Sequence, residues 1–239
     1  MTKIQELQRI STQVRRDIIR MVTNAKSGHP GGSMSSADFL TALYFGVMKH
    51  NPAEWTREGK GQDVFILSAG HLTPVYYSIL SRAGYFPVSE LSTFRIFGTR
   101  LQGHPCVETG LPGIFQASGS LGQGLSAAAG IALGKKLDKE TENVYVMLGD
   151  GECEEGQVWE AAMFAAAKKL DNLVVIVDNN NLQIDGTIEE VNSPYPIDKK
   201  FEAFNFHVIN VDAHDFDQLR AAFKEARETK GMPTCIVLK

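Results

Sequence analysis

The chain has 239 residues, 43% of them hydrophobic, and a formal net charge of −4 at pH 7. This length and apolar content suit a globular fold with a large buried core. The slightly acidic balance, without a block of lysines or arginines, argues against nucleic acid or a membrane surface as a partner. Three scattered cysteines are too few for a disulfide scaffold or a zinc cluster.

The N-terminal segment MTKIQELQRISTQ carries polar residues where a signal peptide needs an unbroken apolar stretch. No apolar run elsewhere in the sequence reaches membrane-spanning length. The sequence therefore predicts a soluble, cytoplasmic protein with reduced thiols.

The first half of the chain begins with a helical pattern over residues 3–24, which is predicted to stop at the glycine-rich loop of residues 27–32. Glycine and proline punctuate residues 95–119, and loops of that length inside compact domains are usually functional. Between these loops we predict helices over residues 35–48 and 76–82 and a buried strand over 64–67.

The second half alternates helical and strand patterns. This alternation predicts an α/β fold with a mostly parallel sheet and helices on both faces. Since no repeat, low-complexity tract or linker is visible, residues 1–239 are predicted to form a single domain. The predicted strands are 144–148, 173–178, 206–211 and 234–238, and the predicted helices are 121–137, 157–169 and 215–229.

Acidic and amide side chains follow two consecutive predicted strands, where open parallel sheets bind ligands. Asp150 lies in Gly-Asp-Gly after one strand, and Asn180 follows the next. The amides at the start of a helix favour an anion, but Asp150 would repel a phosphate unless a cation lay between them. Asp150, Asn180 and the carbonyl of Leu182 are the oxygen ligands that Mg²⁺ or Ca²⁺ prefers. The neighbouring Glu152 and Glu154 are interpreted as solvated acids at a helix start.

This pair of motifs resembles the thiamine diphosphate signature, in which Gly-Asp-Gly is followed roughly thirty residues later by Asn. Five further motifs make the sequence similar to the transketolases. A departure is Ser120, where that family usually has proline. The matching stretches are SGHPG at 27–31, LSAGH at 67–71, GHP at 103–105, GSLGQG at 119–124 and IDG at 184–186.

The resemblance implies a thiamine-diphosphate-binding fold with thiamine diphosphate and Mg²⁺ or Ca²⁺ as cofactors. Asp150, Asn180 and the Leu182 carbonyl would ligate the metal, and Asn180 and Leu182 would also contact the cofactor. The amide of Gly151 and the side chain of His71 would meet the diphosphate.

The resemblance also implies roles around the cofactor rings and the substrate. Gly119 and Leu121 would pass their main chain along the rings. His29 and His104 would line the substrate channel and, with His71, form the catalytic histidines, since imidazole can accept and donate protons near neutrality. Glu155, the fourth catalytic position, would join a carboxylate network across a subunit interface.

The match covers only the first domain of a transketolase. The implied activity is transfer of a two-carbon ketol unit from a ketose to an aldose, free or phosphorylated, together with a C-terminal subunit that carries the aminopyrimidine-binding domain. Self-association would give a dimer of each subunit in a heterotetramer.

The family continues past the last strand into a loop with a further histidine. Either the natural protein continues beyond Lys239 or it lacks that histidine. In that family the arginines that grip an acceptor's phosphate lie on the other domains. Arg95 and Arg100 lie in the long loop near His104, where contact with a substrate stays open, and they are interpreted as solvated surface residues.

Two alternatives stay open. One is a subunit of another thiamine diphosphate enzyme, of the deoxyxylulose-phosphate synthase or 2-oxo-acid dehydrogenase α type. The other is a non-catalytic subunit that retains the fold. The loops that carry His29 and His104 favour a transketolase, because two histidines facing the sugar suit ketol transfer.

Overall fold

A five-stranded parallel sheet forms the centre of the structure, a computed structural model that describes residues 2–239. A separate antiparallel ribbon of two short strands follows the third strand of the chain. In chain order the strands are β1 (Val64–Leu67), β2 (Val144–Gly149), β3 (Leu173–Asp178), β4 (Leu182–Gln183), β5 (Gly186–Thr187), β6 (His207–Val211) and β7 (Thr234–Leu238). The sheet has the order β1-β2-β3-β7-β6, and β4 pairs with β5.

Helices fill most of the connections between these strands. They are α1 (Lys3–Ala25), α2 (Pro30–Ser35), α3 (Ala37–Ala42), α4 (Thr73–Arg82), α5 (Gly124–Leu137), α6 (Gly156–Ala167), α7 (Ile188–Val191), α8 (Ile197–Ala203) and α9 (Phe216–Glu228). After α3 the chain makes one π-helical turn, Leu43–Val47. None of the helices described is long and apolar enough to cross a membrane.

The sheet is buried on both faces by these helices. Side chains such as Phe65 and Tyr145 face a core shared with α1, α3, α4 and α9. Side chains at alternate strand positions, such as Val146 and Val175, face a second core shared with α5, α6 and α8. Successive side chains of a strand point to opposite faces, so each strand reads as a continuous apolar run. The prediction of a parallel sheet with helices on both faces is confirmed.

The main departure from the predicted elements lies near the N-terminus. The prediction placed a loop at residues 27–32 and one helix at 35–48, but α2 begins inside that loop, at Pro30. Proline fits the first helical position because its φ is already helical and its missing N–H would have no partner there. His29 therefore directly precedes a helix.

The carboxyl edge of the sheet brings two loops and the end of β7 together. Gly149 at the end of β2 is the register partner of Asp178 at the end of β3. The amide of Asp150 donates to the carbonyl of Asp178 at 3.2 Å, and the amide of Asn179 donates to the carbonyl of Leu238 at 3.2 Å. The loops that follow β2 and β3 therefore meet beside the C-terminal end of β7, where ligands bind in sheets of this kind.

Candidate functional site

The two loops predicted to hold a metal are in contact. One carboxylate oxygen of Asp150 accepts a hydrogen bond from the amide of Gly151 at 2.9 Å. The other accepts from the amide of Asn181 at 2.7 Å. Asp150 is thereby fixed between the turn after β2 and the loop after β3, and its side chain is buried.

Asn180 is oriented by the residues beside it. Its side-chain NH₂ group donates to Oδ2 of Asp178 at 3.1 Å, and its Oδ1 accepts from the amide of Leu182 at 3.0 Å. An amide oxygen has two lone pairs, so one remains for a further ligand. Leu182 begins the β4–β5 ribbon and its side chain is 62% exposed.

The electrostatics of this edge suit a cation. Asp150 and Asp178 are both buried, and neither forms an ion pair with a basic side chain in residues 2–239. Burial, followed by the charge of Asp178, raises the pKa of Asp150 to about 6. Burial also raises the pKa of Asp178. Buried carboxylates without a counter-charge are costly, and a bound divalent cation removes that cost.

The chemistry of the donors selects among metals. No group of three His, Cys, Asp or Glu side chains that could hold a metal lies in the described part of the chain. The oxygens of Asp150, Asn180 and a main-chain carbonyl are hard ligands, which suit Mg²⁺ or Ca²⁺ rather than zinc. The residues therefore fit the predicted metal.

The three predicted catalytic histidines form one cluster. The rings of His29 and His71 meet edge to face, with their centroids 5.1 Å apart. His104 packs against Gly119, where an added Cβ would come 3.4 Å from the imidazole ring. These histidines lie close together although they are far apart in sequence, so three separate loops converge at the cluster.

Helix α2 joins this cluster to the acidic edge. His29 precedes the helix, and Ser35 ends it. The Ser35 hydroxyl donates to Oδ2 of Asp178 at 2.7 Å. Six residues of helix span about 9 Å. The histidines and the carboxylates thus lie at the two ends of one short rigid element.

The environment keeps the histidines neutral at pH 7. Burial lowers the pKa of His29 and His104, and the nearby charge of Arg95 lowers both further. Burial, followed by the charges of His29 and His104, lowers the pKa of His71 to about 4. The Nδ1 atom of His29 is buried and has no hydrogen-bond partner in the described chain. A neutral imidazole with a free nitrogen can accept or donate one hydrogen bond to a ligand.

The lowered pKa of His71 predicts acid sensitivity. The unfolded chain takes up a proton near pH 6.5 while the folded chain resists it, so the free energy of unfolding falls as the pH drops from about 6.5 toward 4. We expect a His71→Asn variant to lose less stability between pH 7 and pH 5, by about 1 kcal/mol after allowance for solvent screening. Urea unfolding at pH 7 and pH 5, without cofactor, measures the difference. Identical pH dependence in both proteins would contradict the prediction.

The predicted ring-binding turn lies beside His71. Gly119 has a φ of 155°, and an added Cβ at Gly70 would come 2.8 Å from the Gly119 nitrogen. Leu121 follows two residues later and is partly exposed. The main chain of this turn therefore approaches the histidine loop closely enough to share one ligand with it.

Glu155 lies at the start of α6 with its side chain exposed. It packs close to Gly122, where an added Cβ would come 2.7 Å from the Glu155 Cβ. Its carboxylate accepts no hydrogen bond from any described residue. The predicted role in a network across a subunit interface stays a prediction.

The interpretation as a solvated acid is wrong for Glu152, whereas Glu154 is partly exposed. Glu152 is only 2% exposed and accepts hydrogen bonds from the hydroxyl of Ser68 and from the amides of Gly122, at 2.8 Å, and Gly149, at 3.1 Å. Glu154 accepts from the side-chain amides of Gln183 and Asn192. The burial of Glu152 is possible because donors from the residue after β1, from the turn at Gly122 and from the end of β2 satisfy its carboxylate.

Comparison with known proteins identifies the family. Residues 7–239 match the family model described as the transketolase, thiamine diphosphate binding domain. The chain is 41% identical to a 6-deoxy-6-sulfo-D-fructose transketolase subunit, SqwG, of Clostridium sp. (strain MSTE9), over 97% of this chain and 85% of that protein. It is 37% identical to one subunit of the apulose-4-phosphate transketolase of Phocaeicola vulgatus, over 98% of this chain and 82% of that one.

Solved structures of whole transketolases agree. The transketolase of Leishmania mexicana superposes with a TM-score of 0.90 at 32% identity, over 98% of this chain and 36% of that one. The Campylobacter jejuni enzyme gives 0.90 at 31% identity, over 99% and 38%. The chain thus spans little more than a third of a whole transketolase but most of a split-subunit one. It belongs to the transketolase family, as a counterpart of the N-terminal, thiamine diphosphate binding domain.

Proposed function

We propose that residues 1–239 act as one diphosphate-binding domain, the N-terminal subunit of a cytoplasmic two-subunit transketolase. The complex transfers a two-carbon ketol unit from a ketose to an aldose. The observation that carries this proposal is the histidine cluster of His29, His71 and His104 at one end of α2, with the buried carboxylates of Asp150 and Asp178 at the other. Most of the length of two split-subunit relatives is matched by this chain, which supports a separate partner.

In this proposal the acidic edge would hold the cofactor with Mg²⁺ or Ca²⁺. Asp150, Asn180 and the Leu182 carbonyl would ligate the ion, and the Gly151 amide and His71 would contact the diphosphate. When bound, thiamine diphosphate supplies the electron sink that cleavage of the bond between the second and third carbons of a ketose requires. The main chain at Gly119 and Leu121 borders the rings.

The neutral histidines handle the sugar. His29 and His104 hydrogen-bond its oxygens and move protons at its hydroxyl groups, because each is uncharged near pH 7 and can both accept and donate. His71 stays neutral for the same reason. The substrates we propose are sugars with a phosphate or sulfonate group, in line with the names of the two split-subunit relatives.

The partner subunit covers the open side of the site. An exposed apolar group borders the proposed metal site, with Leu182 62%, Ile184 93% and Val191 42% exposed. Exposed apolar side chains grouped in this way mark protein contacts. We propose that the C-terminal subunit packs here with its aminopyrimidine-binding domain, and that Glu155 contacts a second copy in a heterotetramer.

A reconstitution experiment tests the division of the site. The isolated chain, with thiamine diphosphate and Mg²⁺, is expected to show no ketol transfer, because it provides the histidines and the metal ligands but no wall for the aminopyrimidine ring. Activity should appear when the C-terminal subunit is added, and it should saturate at equal molar amounts. The mixture without Mg²⁺ serves as the control. Turnover by this chain alone would contradict the two-subunit proposal.

A further inference from the structure

A polar cavity opens beside the histidine cluster. Its volume is about 560 Å³, within the range of small-molecule sites. Its lining includes Ser27, Arg95, Thr99, Gln102 and His104. The described lining residues include neither aspartate nor glutamate, so the one formal charge on these walls is the guanidinium of Arg95.

The backbone holds Arg95 in place. Its φ is 57°, in the left-handed region that residues other than glycine seldom adopt, and its amide donates to the carbonyl of Leu101 at 3.0 Å. The guanidinium lies against Gly103, where an added Cβ would come 2.9 Å from the Arg95 Cζ. The Phe94 ring supports it from another side, with Cζ 5.6 Å from the ring centroid. The charge is therefore fixed at the wall of the cavity.

The guanidinium has neutral partners only. Nη1 donates to the hydroxyl of Ser27 at 2.7 Å, and Nη2 donates to the carbonyl of Gly103 at 3.4 Å. Nε is buried without a partner, and Arg95 forms no ion pair within residues 2–239. Arg100, in the same loop, is instead fully paired, with contacts of 2.5 and 2.9 Å to Glu90.

We infer that Arg95 binds the tetrahedral oxyanion, phosphate or sulfonate, of the sugar substrate and so selects anionic over uncharged ketoses. A guanidinium offers five N–H donors in a planar fork that matches such a group. Arg95 donates two of them to Ser27 and Gly103, which leaves three for a ligand. His104 lines the same cavity, so one sugar molecule can place its anionic group at Arg95 and a hydroxyl oxygen at His104. The inference rests on the proposed function, whose substrate class it defines.

Selectivity in the reconstituted complex tests the inference. We would measure kcat/KM for a phosphorylated ketose, a sulfonated ketose and an uncharged ketose. The Arg95→Met variant is expected to lower the ratio of anionic to uncharged kcat/KM by about 10- to 100-fold, the usual effect of losing a charge-assisted contact. The Arg95→Lys variant keeps the charge and should give an intermediate ratio of anionic to uncharged kcat/KM. If the Met variant does not fold, an unchanged ratio in the Lys variant would contradict the inference. The two anionic substrates separate phosphate from sulfonate recognition.

The matched control is Arg100→Met, whose ratio should equal that of the unmodified complex because Arg100 is already paired. Inorganic phosphate provides an independent probe, since its inhibition constant against the uncharged ketose should rise in the Arg95→Met complex by a similar factor. Equal losses of kcat/KM with all three ketoses, or an unchanged inhibition constant for phosphate, would overturn the inference. The role of Arg95 would then be to hold the Ser27 hydroxyl in place. Failure of the unmodified complex to turn over any ketose would instead refute the proposed function.

Discussion

An Asp150→Asn variant is expected to lose magnesium-dependent binding of thiamine diphosphate, and ketol transfer by its complex should fall by at least about 100-fold. Asp150 is the single carboxylate in the proposed ligand set, so the substitution removes the charge that attracts the cation while it preserves the size of the side chain. Both carboxylate oxygens also accept main-chain hydrogen bonds, from Gly151 and Asn181. The NH₂ group of asparagine would face one of these donors and turn the side chain away.

Calorimetric titration of the complex with thiamine diphosphate, at several magnesium concentrations, measures the effect on binding, and steady-state rates measure the effect on turnover. Asp217→Asn is the matched control, because Asp217 is exposed in the first turn of α9, outside the site. It should bind and react as the unmodified chain does. Magnesium dependence that survives in the Asp150→Asn complex would show that the metal is held elsewhere.

Local pattern was sufficient for three of the five strands of the parallel sheet. The bounds of β1, β3 and β7 agree with the predicted ranges, since a run of buried apolar residues ends where the chain turns polar at a sheet edge. The start of α2 was missed although Pro30 is a typical first helical residue. Two glycines, which are poor helix formers, follow Pro30 and make the segment resemble a loop.

Site residues differ in how visible they are in the sequence. Asp150 and Asn180 follow strands of one sheet, so topology alone predicts that their loops meet. Glu152 has no such signal, because the groups that bury it come from Ser68 and Gly122, far away in sequence. For Asp178, the sequence likewise predicted only its place at the end of a strand. Its contacts to Ser35 and Asn180 depend on the packing of α2 against the sheet.

Arg95 and Arg100 show the same limit for surface loops. Both were interpreted as solvated, and for Arg100 an ion pair with Glu90 at a partly exposed position is close to that interpretation. Arg95 differs because its backbone turns left-handed and carries the side chain over Gly103. Such a turn depends on the path of the whole loop, which the order of residue types does not specify.

The buried carboxylate of Glu152 makes a strong stability prediction. Replacement by alanine leaves the Ser68 hydroxyl and the amides of Gly122 and Gly149 without their acceptor in the interior. We expect the free energy of unfolding to fall by about 3 kcal/mol, the usual cost of stranding several buried donors. Glu152→Gln keeps one oxygen and should lose about half as much. Urea unfolding of the isolated chain measures both, with the exposed Glu160→Ala in α6 as control.

The same substitution should also weaken cofactor binding, although Glu152 lies outside the proposed ligand set. Ser68 donates to Glu152 and accepts from the amide of Gly124, so the carboxylate ties the ends of β1 and β2 to the turn that carries Gly119 and Leu121. Without it this turn is free to move relative to Asp150. Thiamine diphosphate affinity in the complex should therefore fall in Glu152→Ala at temperatures where the variant is still folded. Full affinity in a destabilised variant would show that the turn is held by its other contacts, and Glu152 would then matter for folding alone.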